Sequence, residues 1–130
     1  MTRRPPELRF FALFMRYWLP VLLYITVIIT LSAQSNLQPP MRFRSADKVY
    51  HLLEYFGLGV LLARAMRVTL RTSQPLAVAL LATCSGILMG TSDEYFQSFI
   101  PGRQCSALDL LVDTVGVALA QLLFLARARD

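Results

Sequence analysis

Residues 107–126 read ALDLLVDTVGVALAQLLFLA. A helix needs roughly 17 to 25 mostly apolar residues to cross a bilayer's hydrocarbon core, and this run has that length while carrying two carboxylates, Asp109 and Asp113, near its start. An acid below the membrane interface is costly and normally faces a bundle interior or a wet cavity. One segment therefore predicts both a membrane span and a polar interior for it to face.

Working outward, three more stretches of the same kind appear. Residues 17–33 are apolar and closed by the polar, proline-bearing stretch 34–40, with Pro20 expected in the first helical turn, where its missing N–H costs little. Residues 49–66 are apolar except for His51, Glu54 and Arg64, the last close enough to the end to extend its head to the interface. Residues 76–92 follow Gln74-Pro75 and run into Asp93-Glu94, and the fourth span follows Pro101-Gly102-Arg103 and ends at Arg127. In lipid these segments must be helices, because an open sheet leaves its backbone unsatisfied. The expected fold is all-α: one domain over residues 1–130, an integral membrane bundle of four transmembrane helices.

Composition agrees. The chain is 55% hydrophobic and 16% charged, against about 25% charged in soluble domains, and its mean hydropathy is +0.50. So small a globule cannot bury that much apolar surface in water. Cys84 and Cys105 stand far apart, which excludes a zinc ribbon or a thioredoxin-like pair.

Short connections make consecutive spans antiparallel, and basic residues then set the orientation. Nine fall on one side (Arg3, Arg4, Arg9, Arg16, Arg64, Arg67, Arg71, Arg127 and Arg129) and four on the other (Arg42, Arg44, Lys48 and Arg103), which predicts cytoplasmic termini. A cleaved signal peptide is the rival reading of the first span. It is disfavoured because the apolar run exceeds a typical signal core and Leu31 is bulky where a small residue is wanted.

Six of the eight carboxylates then gather at the outer side. Asp47 and Glu54 flank the start of span two, Asp93 and Glu94 the end of span three, and Asp109 and Asp113 the start of span four. Residues three and four apart share a helix face, so Asp47, His51, Glu54, Tyr55 and Leu58 form one stripe. Asp93 or Glu94 with Gln97, and Asp109 with Asp113 and Gly116, form two more. Gly86 with Gly90 and Gly116 with Ala120 have the small-residue spacing that permits close helix approach, although lipid-facing filler is the plainer reading.

Each polar residue also has a structural explanation. Ser106-Ala107-Leu108-Asp109 fits a helix capping box, and Asp47 near a helix start favours the helix dipole. Glu54 can pair with His51, Lys48 or Arg103 in a structural network, whereas Asp113 lies a turn too deep for capping. As chemistry, His51 and Glu54 suit a general base or proton relay, with Asp93 and Glu94 orienting it or holding an ion. Lys48, Gln97, Arg103 and Asp113 suit substrate binding, and the planar fork of Arg103 matches an oxyanion such as phosphate. The oxygen-rich set suits a hard ion such as Mg2+ or Ca2+, and a single histidine argues against zinc. No phosphate-binding glycine loop, nucleophile elbow or nucleic-acid surface is present in the sequence.

The blocks DKVYHLLEYFGLG (residues 47–59), GTSDEYFQSFIPGR (90–103), and Asp109 followed by Asp113-Thr114-Val115-Gly116 together resemble the VanZ-like family, the teicoplanin-resistance protein family. The resemblance covers most of residues 47–116. It implies a small multi-pass protein of the bacterial inner (cytoplasmic) membrane and carries the family's polar signature onto Asp47, Lys48, His51, Glu54, Asp93, Glu94, Gln97, Arg103, Asp109 and Asp113. It implies no particular reaction. The expected function is an outer-leaflet pocket that binds, and in an enzymatic version modifies, a lipid or lipid-linked cell-envelope component, with a role in glycopeptide resistance. Two alternatives are a non-catalytic partner of envelope enzymes and a proton- or cation-coupled transporter. Spans one and three lack ionisable residues through their inner halves, which weakens the transporter reading.

Overall fold

Pro20 shapes the first helix. A proline inside a helix removes one N–H and crowds the carbonyl one turn back, and the chain answers with a π-helical turn over Phe14–Trp18, in which the Leu19 N–H bonds to the Phe14 carbonyl. The computed structural model describes residues 6–34, 46–70, 74–103 and 105–128. Helix α1 (Pro6–Leu13), the π turn and α2 (Leu19–Ser32) run on without a break. The first helix thus begins at Pro6 rather than at residue 17, and Pro20 lies well inside it, not in a first turn. The closing prolines Pro39 and Pro40, and Arg3, Arg4, Arg42, Arg44, Arg71 and Arg129, lie outside the described residues.

Three more helices follow: α3 (Ala46–Leu70), α4 (Pro75–Gln97) and α5 (Ala107–Arg127). Every element described is helical. Pro75 opens α4, where a proline needs no intrahelical donor, and Ser106 caps α5 by accepting a hydrogen bond from the Asp109 N–H at 3.2 Å.

Among the described residues, the segments Glu7–Ser32, Pro75–Gln97 and Ala107–Arg127 are long and apolar enough to cross a membrane. Helix α3 has 25 residues, about 37 Å of helix, but Asp47, Lys48, Glu54, Arg64 and Arg67 make it less apolar. Its position accounts for that composition. Helix α3 packs against the π turn, α2, α4 and α5, so its polar face has protein to meet.

The apolar core joins Val21 and Ile28 of α2, Tyr55, Leu58, Leu62 and Ala65 of α3, Ala82 of α4 and Val117 of α5. Small residues set the helix spacing. A Cβ on Gly116 would stand 2.6 Å from the Leu52 carbonyl oxygen, and one on Gly86 would stand 2.6 Å from a Val117 methyl. Gly86, Gly90, Gly116 and Ala120 are therefore interface residues between helices, not lipid-facing filler.

The outer surface has the opposite character to that of a soluble domain. Leu23, Leu80, Leu88, Leu111 and Leu122 are exposed, while Asp93, Glu94, Gln97, Asp113 and Gln121 are buried. The hydroxyls of Thr26, Thr30, Thr83, Thr91, Ser92 and Thr114 bond to carbonyls one turn back in their own helices, which satisfies them without water.

Candidate functional site

The antiparallel order of the helices brings the end of α2, the start of α3, the end of α4 and the start of α5 to one pole. Side-chain bonds tie the four together there. Ser32 of α2 donates to Asp93 Oδ2 of α4 at 2.8 Å, and Gln97 Nε2 donates to the same oxygen at 3.0 Å. Asp93 is thus held between a neighbouring helix and the next turn of its own.

Glu94 and Ser106 divide the cap of α5 between them. In a capping box the Asp109 carboxylate would take the Ser106 N–H, but Glu94 Oε2 accepts that N–H, at 2.7 Å. Ser106 Oγ still caps the Asp109 N–H, so half of the expected box forms. Asp109 is released to pair with Lys48, which also meets Asp47 at 3.0 Å. Burial works against the Lys48 charge, yet the hydrogen bonds and the fields of Asp109 and Asp47 outweigh it and hold the ammonium pKa above its ordinary value.

One turn deeper, His51 Nδ1 lies 2.9 Å from Asp113 Oδ1. Asp113 is 1% exposed. Among the described residues its other oxygen has no hydrogen-bond partner, and the same holds for Asp93 Oδ1, Glu94 Oε1, Arg103 Nε and the Tyr55 hydroxyl. A buried polar atom without a partner costs about 1–3 kcal/mol, and more if it is charged. Several such atoms gather at this pole.

Arg103 is placed by its turn. Gly102 has φ 84°, a conformation that favours glycine, and the Arg103 N–H bonds back to the Ile100 carbonyl at 3.0 Å. The guanidinium Nη2 then donates to the Gln34 carbonyl at 3.0 Å, closing the pole over the end of α2. The three partners considered for Glu54 are otherwise engaged: His51 with Asp113, Lys48 with Asp109 and Asp47, and Arg103 with the Gln34 carbonyl. Glu54 is half-buried and within electrostatic reach of His51, Asp113, Asp93 and Arg103.

His51, Glu94 and Asp109 each offer one donor atom, all within 4.8 Å of one another. These are the described residues with metal-site spacing. Two contributors stand outside the sequence reading: Ser32, which fixes Asp93, and Gln121, whose Nε2 donates to the Gly59 carbonyl at 2.9 Å between α5 and α3. The site residues named from sequence converge, while Asp47 sits at the rim with its side chain 56% exposed.

The opposite pole is basic and aromatic. Arg64 lies 5.0 Å from the centre of the Tyr17 ring, Arg67 lies 5.6 Å from that of Phe124, and Trp18 Nε1 donates to Thr69 Oγ1 at 2.8 Å.

Against known proteins, the family described as VanZ/LLP1 matches residues 2–128, nearly the whole chain. No curated protein and no solved structure matches it.

Proposed function

The chain belongs to the VanZ/LLP1 family, and from that premise we propose that it spans the bacterial inner membrane four times, with cytoplasmic termini, and that its outer pole binds the headgroup of an anionic lipid or lipid-linked cell-envelope component. The observation that carries this is the set of buried polar atoms on Asp93, Glu94, Asp113 and Arg103 that have no partner among the described residues, inside a bundle whose outer surface is apolar. Arg103 and Lys48 supply positive charge for a phosphate or carboxylate headgroup. Gln97 and Asp113 supply polar contacts, and the apolar flanks leave acyl chains in the bilayer.

In an enzymatic version Glu54 or His51 is the general base; Asp113, 2.9 Å from His51 Nδ1, orients the imidazole in place of Asp93 and Glu94, which are bonded to Ser32, Gln97 and Ser106. A role in teicoplanin resistance is the whole-cell form of the same reading, exerted through an altered envelope component.

The partner-protein alternative draws on the bonds from Ser32 to Asp93 and from Ser106 to Glu94, which fasten helices whatever else they do. A transporter needs a polar path through the bundle, and the core around Leu58, Leu62, Ala82 and Val117 is apolar below the site. Native mass spectrometry of gently solubilised protein tests the proposal against Glu54→Gln and Arg103→Ala. A defined lipid adduct on the parent protein, lost or weakened in Arg103→Ala, is the expected result. The absence of any retained lipid from folded parent protein and folded variants alike overturns it in favour of a partner role.

A further inference from the structure

We propose that His51, Glu94 and Asp109 form a site for one divalent transition-metal ion of the zinc class, with Asp113 as the positioning residue that orients His51. The three ligands come from α3, α4 and α5, and their donor atoms lie within 4.8 Å of one another. Around a tetrahedral ion with bonds of about 2.1 Å, donors stand about 3.4 Å apart. The side chains must therefore draw in slightly, and their three parent helices already face one another.

The second line of argument is independent of this spacing. Glu94 is 2% exposed, its Oε2 is fixed by the Ser106 N–H, and its Oε1 is buried with no partner among the described residues. A carboxylate oxygen kept dry and open beside a histidine is unfavourable unless a cation or proton meets it.

Asp113 adds the feature that separates a metal histidine from an ordinary one. Its Oδ1 engages His51 Nδ1 at 2.9 Å, so that a proton on Nδ1 leaves the Nε2 lone pair for the metal. Ligating histidines almost always have such an outer partner, which fixes tautomer and ring orientation.

Charge and donor type then select the ion. Lys48 occupies one oxygen of Asp109 and also meets Asp47, which leaves Glu54, Asp93, Glu94 and Asp113 with His51 and Arg103 as the nearby basic groups. The remaining acidic excess favours a dication despite the neighbouring ammonium. A tally of residue types favours Mg2+ or Ca2+, but those ions prefer oxygen ligands alone. Here the single histidine belongs to the ligand set, which suits zinc. Three protein ligands also leave a coordination position for water or an anion.

This inference stands whether or not the pocket takes a headgroup, and its test contains no lipid readout. Untagged protein carrying Cys84→Ser and Cys105→Ser, which removes competing thiols, is stripped with EDTA in detergent and titrated with Co2+. Visible d–d absorption saturating near one equivalent, and bleached by Zn2+, is expected. His51→Ala and Glu94→Gln abolish the band, and Asp113→Asn weakens Co2+ affinity by about 10- to 100-fold. If His51→Ala does not fold by circular dichroism, the near-isosteric Asp113→Asn reads the same site. Folded parent protein without the band, or folded variants that bind Co2+ as the parent does, overturns the proposal.

Discussion

Ser106, Asp109 and Glu94 show how a tertiary partner displaces a local one. The spacing from Ser106 to Asp109 is that of a capping box, and the Ser106 hydroxyl does cap the Asp109 N–H at 3.2 Å. The reciprocal bond goes to Glu94, twelve residues earlier and on another helix. Ser106→Ala should therefore lower unfolding free energy by about 1 kcal/mol, the usual worth of a cap, while leaving the Lys48 pair with Asp109 in place. Denaturant unfolding in detergent reads the loss, and an unchanged midpoint would mean that Glu94 alone holds the start of α5. Which residues gather at this pole was legible from helical spacing and antiparallel order. Which atom pairs with which was not, because Asp93, His51 and Lys48 choose partners across helices by geometry that spacing does not encode. Ser32 and Gln121 gave no signal, since a lone polar residue in an apolar span looks the same whether it faces lipid, its own backbone or a neighbour.

At the scale of elements, the contacts of α5 with α3 and α4 rest on side chains that are absent. Gly116 lies against α3 backbone: its missing Cβ would meet the Leu52 carbonyl oxygen at 2.6 Å and the Phe56 nitrogen at 3.0 Å. Neither atom can move without shifting a helix. A Cβ on Gly90 meets Leu110 Cδ1 at 3.2 Å, the tip of a flexible side chain. Gly116→Ala should therefore cost about 1–3 kcal/mol, in the range of overpacked cores, and Gly90→Ala clearly less. Thermal unfolding of the two variants side by side checks the order, and equal losses would show that α5 can slide on α3. The small-residue spacing was visible in the sequence, but its use was not, because the same spacing serves lipid-facing filler. The first helix shows the complementary difficulty. Arg9 and Arg16 bracket the apolar run 10–15 and point to a start at residue 17, whereas the helix itself starts at Pro6 and absorbs Pro20 through the π turn at Phe14–Trp18.

The whole molecule is polarised along its helix axes. One pole carries Asp47, Lys48, His51, Glu54, Asp93, Glu94, Arg103, Asp109 and Asp113, and the other carries Arg64 over Tyr17, Arg67 near Phe124 and the Trp18 bond to Thr69. Arginines beside ring-bearing residues at one end match a cytoplasmic interface, where basic residues are retained and Trp and Tyr settle at headgroup depth. Exposed Tyr95 and Phe99, in edge contact with ring centres 5.0 Å apart, offer a second aromatic girdle beside the acidic pole. The two native cysteines can test this orientation directly, because both are exposed but in different settings. Cys105 lies in the connection between α4 and α5 at the acidic pole, whereas Cys84 lies within α4 among lipid-facing residues such as Leu80, Leu81 and Leu88. In intact spheroplasts a membrane-impermeant maleimide should label Cys105 in a Cys84→Ser background and spare Cys84 in a Cys105→Ser background. An added thiol, Ala128→Cys, with both native cysteines replaced by serine, should react only after the membrane is opened, because it follows the basic end of α5. Labelling of Cys105 only after lysis, with Ala128→Cys reactive from outside, would invert the topology and place the polar pocket on the cytoplasmic side, within reach of soluble substrates instead of envelope components.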